Sequence, residues 1–321
     1  MRTFGSSAKA AAQDVSYFRI GGGAVGSRLY QLAGTIAAAI TNPPGADSCD
    51  KNGPCGVPGV VGLAQTTSGS VENLMTLKDA SIESAIVQAD LAAAAVDGSG
   101  AFKAGGPFTE LRALARLGGI AVQIAVPAAS AIQSPADLKG KSVALGPKGG
   151  DAAATALPLL SAFGVTPKHS QFVYDDFPAS YADLTAGKIN AVVLVDSFPN
   201  ADVDRVAKTT GIRLLPIEGA NAEKFRKGRP YLGARSIPDG TYNGQDKSVP
   251  TLEVPLLWVG AAQLDNHLAY ALVKALGSTA PSENGALDFT HAALTAPLRL
   301  HPGAQTYFEE RNASGGSSST N

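Results

Sequence analysis

Short polar clusters, each beside a glycine or at the end of an apolar run, carry whatever chemistry this chain performs. They are Gly23-Ala24-Val25 after Gly21-Gly22; Ser68, Ser70 and Asn73; Gln88; Gly149-Gly150-Asp151; and Asp196-Ser197-Phe198. Hydroxyl, amide and carboxylate groups of this kind donate and accept hydrogen bonds, and glycine lets a ligand approach the main chain. Such groups hold a small polar molecule. Catalytic arrangements are absent from the sequence: it has no Gly-x-Ser-x-Gly elbow and no His-Glu-x-x-His. Its 4 histidines, His169, His267, His291 and His301, lack metal-ligand spacing. We expect a protein that is not an enzyme and uses neither cofactor nor metal.

The elements that must position these groups read as strand–turn–helix units. Tyr17, Phe18 and Ile20 form a short apolar run before Gly21, and Leu29, Leu32, Ala33, Ile36, Ala37 and Ile40 then follow at helical spacing. Gly21-x-Gly23-x-x-Gly26 also matches a dinucleotide fingerprint. That reading needs an acidic residue at the end of the next strand, and Asp47 falls instead in a Pro/Gly/Cys-rich loop. A glycine turn needed only for close strand–helix packing is the plainer alternative. Val57–Gln65 predicts a second strand, with Ser70 as the N-cap of the next helix and Glu72 in its first turn. Ser68, Ser70 and Asn73 there either meet a ligand or serve only the cap. Residues 85–88 predict a buried strand ending at Gln88. Open α/β sheets bind ligands beyond the carboxyl ends of their strands, so these units place polar groups on one rim.

Further on, Leu111–Leu117 reads as a helix or the start of a strand, and Ile120–Val126 as a long buried strand. Gly140-Lys141-Ser142 fails as a phosphate loop, because Pro135 stands where glycine is needed and Ser142 leads into a strand. Gly149-Gly150-Asp151 is a second glycine turn before a helix, and Ile189–Val195 a buried strand ending at Asp196. Thr251–Val259 predicts another strand. Asp265 caps a helix whose buried stripe is Leu268, Leu272 and Leu276.

Composition narrows the class. Lys+Arg number 26 and Asp+Glu 27, with no basic stripe, so nucleic acid is excluded as a partner. No apolar window reaches the length of a membrane span. The first residues hold no signal-peptide core and read as a trimmed N-terminus behind an added methionine. The last residues, rich in Ser and Gly, are expected to be disordered. Cys49 and Cys55 form either a disulfide closing a small loop or a pair of reduced thiols. We expect the disulfide, which implies an oxidising compartment.

Taken together and in order, FRIGGGAVGSRLYQLAG, AQTTSGSVENL, IVQAD, LRALARL, DLKGKSVALGP, IPDGTY and LHPGAQTYF resemble the TAXI family of TRAP-transporter solute-binding proteins. The resemblance runs from about Phe18 to Glu310. It implies an α/β, bilobal periplasmic-binding-protein fold of type II-like topology, two lobes with a ligand cleft and hinge. Residues 16–120 plus 217–312 would form lobe I and 121–216 lobe II, between a flexible 1–15 and a tail at 313–321. It implies a periplasmic monomer that captures a small organic acid or related solute and delivers it to a TRAP-type integral-membrane permease. The same fold also serves ligand-sensing receptors that act on a signalling partner. The ligand-binding set it implies is Gly23, Ala24, Val25, Tyr30, Ser68, Ser70, Asn73, Gln88, Gly149, Gly150, Asp151, Asp196, Ser197 and Phe198. A subset of the family carries a cysteine-pair loop where Cys49 and Cys55 stand.

This chain departs from the family pattern at Val25, Ser27 and Leu29, at Gly118-Gly119-Ile120, at Gly150-Asp151-Ala152 and at Asp196-Ser197-Phe198-Pro199. Hydroxyl donors are lost and two carboxylates, Asp151 and Asp196, are gained. A carboxylate buried beside a ligand carboxylate is costly without a cation between them. The expected ligand is therefore not an ordinary dicarboxylate but a less charged, more apolar or amine-bearing solute. The alternative is that both aspartates face solvent.

Overall fold

Periodicity along the chain resolves into the elements of a computed structural model that describes residues 15–46, 55–279 and 291–315. β1 (Ser16–Gly21) leads through the glycine turn into α1 (Arg28–Ile40), followed by β2 (Thr41–Asn42), β3 (Val57–Pro58) and β4 (Val60–Gln65). Next come α2 (Ser70–Lys78), β5 (Ser84–Gln88), α3 (Ala89–Asp97) and the long β6 (Leu111–Pro127). β7 (Ser142–Ala144), α4 (Asp151–Ala162), β8 (Gln171–Val173), α5 (Phe177–Thr185), β9 (Ala191–Asp196), α6 (Ala201–Thr209) and β10 (Ile212–Leu214) follow. The chain closes with α7 (Gly219–Lys227), β11 (Gly233–Ile237), β12 (Val249–Ala261), α8 (Asn266–Ser278) and α9 (Pro302–Gly315).

Strand order in the main sheet is β4-β1-β5-β12-β6-β9-β7-β8, with β10 on β6 and β11 on β12. β1, β4 and β5 are parallel, as are β7, β8 and β9. Each parallel set is one α/β half, and the antiparallel pair β6 and β12 belongs to both. β6 pairs with β12 over its first part and with β9 from Ala121 onward. β12 pairs with β11 up to Glu253 and with β5 from Leu256. Two strands therefore cross from one lobe to the other, which makes the bilobal fold with a hinge at the crossing.

Alternate side chains of each strand feed different cores, as a period of two requires. Ile86, Leu256 and Trp258 pack with Leu32 and Ile36 of α1 and Leu272 of α8. Ala85, Val87, Leu257 and Val259 pack with Leu74 of α2 and Leu91 of α3. In the second lobe Val193 and Val195 join Leu159 and Leu160 of α4, while Val192 and Leu194 join Tyr181 of α5 and Val203 of α6. Burying one such side chain contributes about 1.5–3 kcal/mol, so helices on both faces hold each half.

Several expectations are corrected. Of the two readings of Leu111–Leu117 the helix falls and the start of a strand holds: it opens a single 17-residue strand, which pairs with β12 and then β9. The strand expected over Val57–Gln65 is broken at Gly59, whose φ of 80° turns the chain between β3 and β4. Leu268 is only partly buried, and Ala269 and Val273 share the inner face with Leu272 and Leu276. α9 runs to Gly315, into the stretch expected as tail. Asp47 and Cys49 lie outside the described residues, and so does the Cys49–Cys55 pairing.

The crossing is braced by charge. Arg116 Nη2 lies 2.6 Å from Glu253 Oε1, and Arg235 Nη1 lies 3.8 Å from Glu253 Oε2. Arg235 also donates to the Gly119 carbonyl at 3.0 Å and lies over the Phe198 ring at 4.6 Å. Glu253→Gln leaves two guanidinium groups without their carboxylate. We expect a stability loss of about 1–2 kcal/mol by urea denaturation; a loss of less than about 0.3 kcal/mol would remove this cluster from the account of the hinge.

Candidate functional site

Gly21 and Gly22 are explained by packing. A Cβ on Gly21 would stand 2.6 Å from Asn73 Oδ1, and one on Gly22 3.0 Å from the Tyr30 Cα. Gly22 N–H donates to the Gln65 carbonyl at 3.0 Å, and its own carbonyl accepts from Thr67 Oγ1 at 3.1 Å and Asn73 Nδ2 at 2.5 Å. Asn73 Nδ2 also donates to the Ile86 carbonyl at 2.9 Å. Asn73 is fully buried and ties the first turn to β5 from α2. Beyond the glycines, Gly23 is buried, Ala24 and Val25 are exposed, and Tyr30 is half-buried on α1. Ser27 caps α1, accepting from Tyr30 N–H.

Ser70 is not the expected N-cap. Gly69 holds that position with no side-chain cap, and Ser70 is the first helical residue. Its hydroxyl instead accepts from Gln88 N–H at 3.0 Å, tying α2 to the end of β5. Ser68 is exposed and donates to Glu72 Oε2 at 2.7 Å, which together with the Ser68 N–H holds the Glu72 carboxyl below its ordinary range. The open amides of α2 are taken from the other lobe. Asp151 Oδ2 accepts from Ser70 N–H at 2.6 Å and Asp151 Oδ1 from Val71 N–H at 3.0 Å. The second glycine turn thus brings its aspartate to the start of α2 rather than to the first glycine turn. Gly149 is exposed and Gly150 half-buried, the latter donating to the Pro147 carbonyl at 3.0 Å.

One turn along α4, Thr155 Oγ1 lies 2.9 Å from Gln88 Oε1 and 2.6 Å from Asp90 Oδ2. Burial pushes the Asp90 carboxyl up to about 6; the Thr155 hydrogen bond draws it down and the Asp151 charge adds to the rise. Burial likewise raises the Asp151 carboxyl against the pull of the Ser70 and Val71 bonds. Asp196, at the end of β9, is raised by burial and drawn down by Ser197, Arg28 and Asn200. Arg28 opens α1 in the first lobe, so its field reaches an aspartate of the second. Ser197 N–H donates to Asp196 Oδ1 at 2.7 Å, and Phe198 sits under Arg235. The alternative that both aspartates face solvent is overturned: each is partly buried and engaged.

The structure therefore brings together Ser70, Gln88 and Asp151, with Asp90 and Thr155 added. It leaves Ser68, Ala24 and Val25 exposed, and it uses Asn73 inside the first lobe. Asp90 was legible two residues after Gln88, in the first turn of the helix that follows the strand's end; Thr155 sits in an alanine-rich helix and carried no signal. Beside this junction lies a cavity of about 680 Å³, lined by Asp90 and Leu91 of α3, Ala154 and Leu157 of α4, Arg229 and Tyr231. That volume suits a small organic molecule. Among the described residues no group of acidic, His or Cys side chains is arranged to hold a metal ion, and no helix is long and apolar enough to cross a membrane.

Two α/β halves on a pair of shared strands, with polar groups of both halves meeting at strand ends, define the bilobal periplasmic-binding-protein class of fold. The chain belongs to the NMT1-like family, whose model matches residues 20–311. Among solved structures it is similar to the alkanesulfonate-binding protein SsuA from Xanthomonas axonopodis pv. citri bound to MOPS, at 17% identity and a TM-score of 0.45, over 94% of this chain and 85% of that one. It is also similar to a TctC solute-binding protein from Polaromonas without ligand, at 16% identity and a TM-score of 0.46, over 92% of this chain and 98% of that one. An amino acid ABC transporter substrate-binding protein, AbpA from Streptococcus pneumoniae, bound to L-arginine, shows 14% identity and a TM-score of 0.44, over 85% and 91% of the two chains.

Proposed function

We propose that this chain is a solute-binding receptor of the TAXI kind, which captures a small organic solute between its lobes and hands it to a TRAP-type permease. The observation that carries the reading is the meeting of Ser70, Gln88 and Asp90 from one lobe with Asp151 and Thr155 from the other, beside a cavity of about 680 Å³. Groups from two lobes that meet at strand ends close on a ligand when the hinge strands bend. In this reading residues 16–120 plus 217–312 are lobe I and 121–216 lobe II, and the protein works as an extracytoplasmic monomer. Cys49 and Cys55 pair in that oxidising space, a point that intact mass with and without reductant checks. In this reading Asp90, Gly149, Gly150, Arg229 and Tyr231 line the cavity that takes the solute, the interlobe contacts of Ser70, Gln88, Asp151 and Thr155 stand beside it, and Asn73 positions the first turn without touching solute.

Native mass spectrometry of protein purified without refolding tests the proposal. A retained small molecule, lost on dialysis against denaturant and restored on refolding with solute, is the expected result. Turnover of the bound molecule, or tight binding of a nicotinamide dinucleotide, would replace the receptor reading with an enzymatic one.

A further inference from the structure

We propose that Asp151 is an internal anion that latches the lobes together and occupies the place at the start of α2 where a ligand carboxylate would bind, so that this cleft selects against acids. The inference rests on the receptor reading above and adds what that receptor rejects. The first amides of a helix have no partner within it and draw an anion, aided by the helix dipole. An aspartate that caps a helix ordinarily stands just before that helix. Here the local cap position is Gly69, without a side chain, and the carboxylate comes from 81 residues away on the other lobe. Both of its oxygens are used, on Ser70 N–H at 2.6 Å and Val71 N–H at 3.0 Å.

The fit is specific at the partner side too. Gly69 has a φ of 129°, and a Cβ there would stand 2.6 Å from Asp151 Oδ2, so a side chain at that position would push the carboxylate away. Thr155, one turn further on α4, repeats the interlobe link to Gln88 and Asp90. Contacts that an anionic solute would make to draw α4 onto α2 are thus made by the chain itself. A carboxylate solute would have to displace Asp151 and leave it beside Asp90, two acids in one partly buried space. The solute that fits is held in the adjoining cavity by its body and needs no carboxylate at α2.

The test compares the full-length wild type with Asp151→Ala and Asp151→Asn, using glutarate and acetate as probes in calorimetry and small-angle scattering. Wild type is expected to be compact without solute and to bind neither acid below about 10 mM. Asp151→Ala is expected to expand and to gain at least tenfold in glutarate affinity, with compaction restored by the acid; Asp151→Asn, which keeps one acceptor, is expected to fall between them. In wild type the Ser70 and Val71 amide resonances are expected to follow a carboxyl titration that Asp151→Asn abolishes, a readout independent of how well the alanine variant folds. Amides that ignore pH, or a folded Asp151→Ala that stays compact and gains no acid binding, would overturn the latch. Tight glutarate binding by the wild type would sink it while leaving the receptor reading intact. A latch that behaves as expected in a protein that binds no solute of any class would instead remove the receptor reading.

Discussion

Asn73→Ala is expected to lower the stability of the chain by about 3 kcal/mol or more, the larger effect of any single side chain at this site. Its amide nitrogen donates to two carbonyls in different segments, Gly22 at 2.5 Å and Ile86 at 2.9 Å. Truncation removes both bonds in a space closed to water and leaves the Gly22 carbonyl with Thr67 Oγ1 alone, and the cost of an unmade buried bond exceeds the net worth of a made one. The first glycine turn would also lose its anchor to β5. In thermal melts the drop should be about 6–12 °C, whereas Ser68→Ala, at an exposed hydroxyl, should shift the melt by less than about 2 °C. Equal effects from the two variants would contradict a structural role for Asn73.

Asp90→Asn is expected to act in the opposite direction and stabilise the protein at pH 7.5. Thr155 has one hydroxyl hydrogen and faces two acceptors, Gln88 Oε1 and Asp90 Oδ2. A protonated Asp90 donates to Thr155 and frees that hydrogen for Gln88; an ionised one leaves the network a proton short. Burial, with the nearby Asp151 charge, raises the Asp90 carboxyl from 3.8 to about 6. Between those values the folded state binds more protons than the unfolded one, so stability falls as pH rises through the window and the penalty is complete above about pH 6. The shift corresponds to at most about 3 kcal/mol. Asparagine donates to Thr155 at every pH. The variant should therefore melt about 3–6 °C above wild type at pH 7.5 and converge with it only below pH 3.8, where the carboxyl is protonated in both the folded and the unfolded state. Asp151 and Tyr231 face the same carboxyl, and Asp151 titrates upward in the same sense, so part of the wild-type slope should survive in the variant. A parallel pH dependence in the two proteins would assign the whole slope to Asp151.

Local pattern carried the strand–turn–helix units a long way. The stripe Leu29, Leu32, Ala33, Ile36, Ala37 and Ile40 is buried as its spacing demands, and Asp265 caps α8 through Leu268 N–H. Gln88 stands at the end of its strand as read, because a short β-branched run bounded by a helix start needs no distant information. Where the sequence was ambiguous, the ambiguity was of a local kind. Ser70 looks like a cap because serine before a helix usually is one, and here its hydroxyl turns to Gln88 N–H instead. Gly21, Gly23 and Gly26 match a dinucleotide fingerprint, yet the spacing cannot tell a ligand from the Asn73 and Ser27 atoms that approach the first two.

What lay beyond the sequence was every fact that joins distant segments. That β6 and β12 each serve both lobes depends on pairing over more than a hundred residues, and neither strand's period of two says which neighbour it takes. Asp151 reads equally well as a solvated residue in the first turn of its own helix or as the cap of another. Only the packing of α4 against α2 and α3 carries its carboxylate to Ser70 and Val71 and Thr155 to Asp90. The physical reason is the same in each case: propensity and periodicity act over a few residues, whereas burial of a charge and the identity of its partner are properties of the space into which the folded chain brings it.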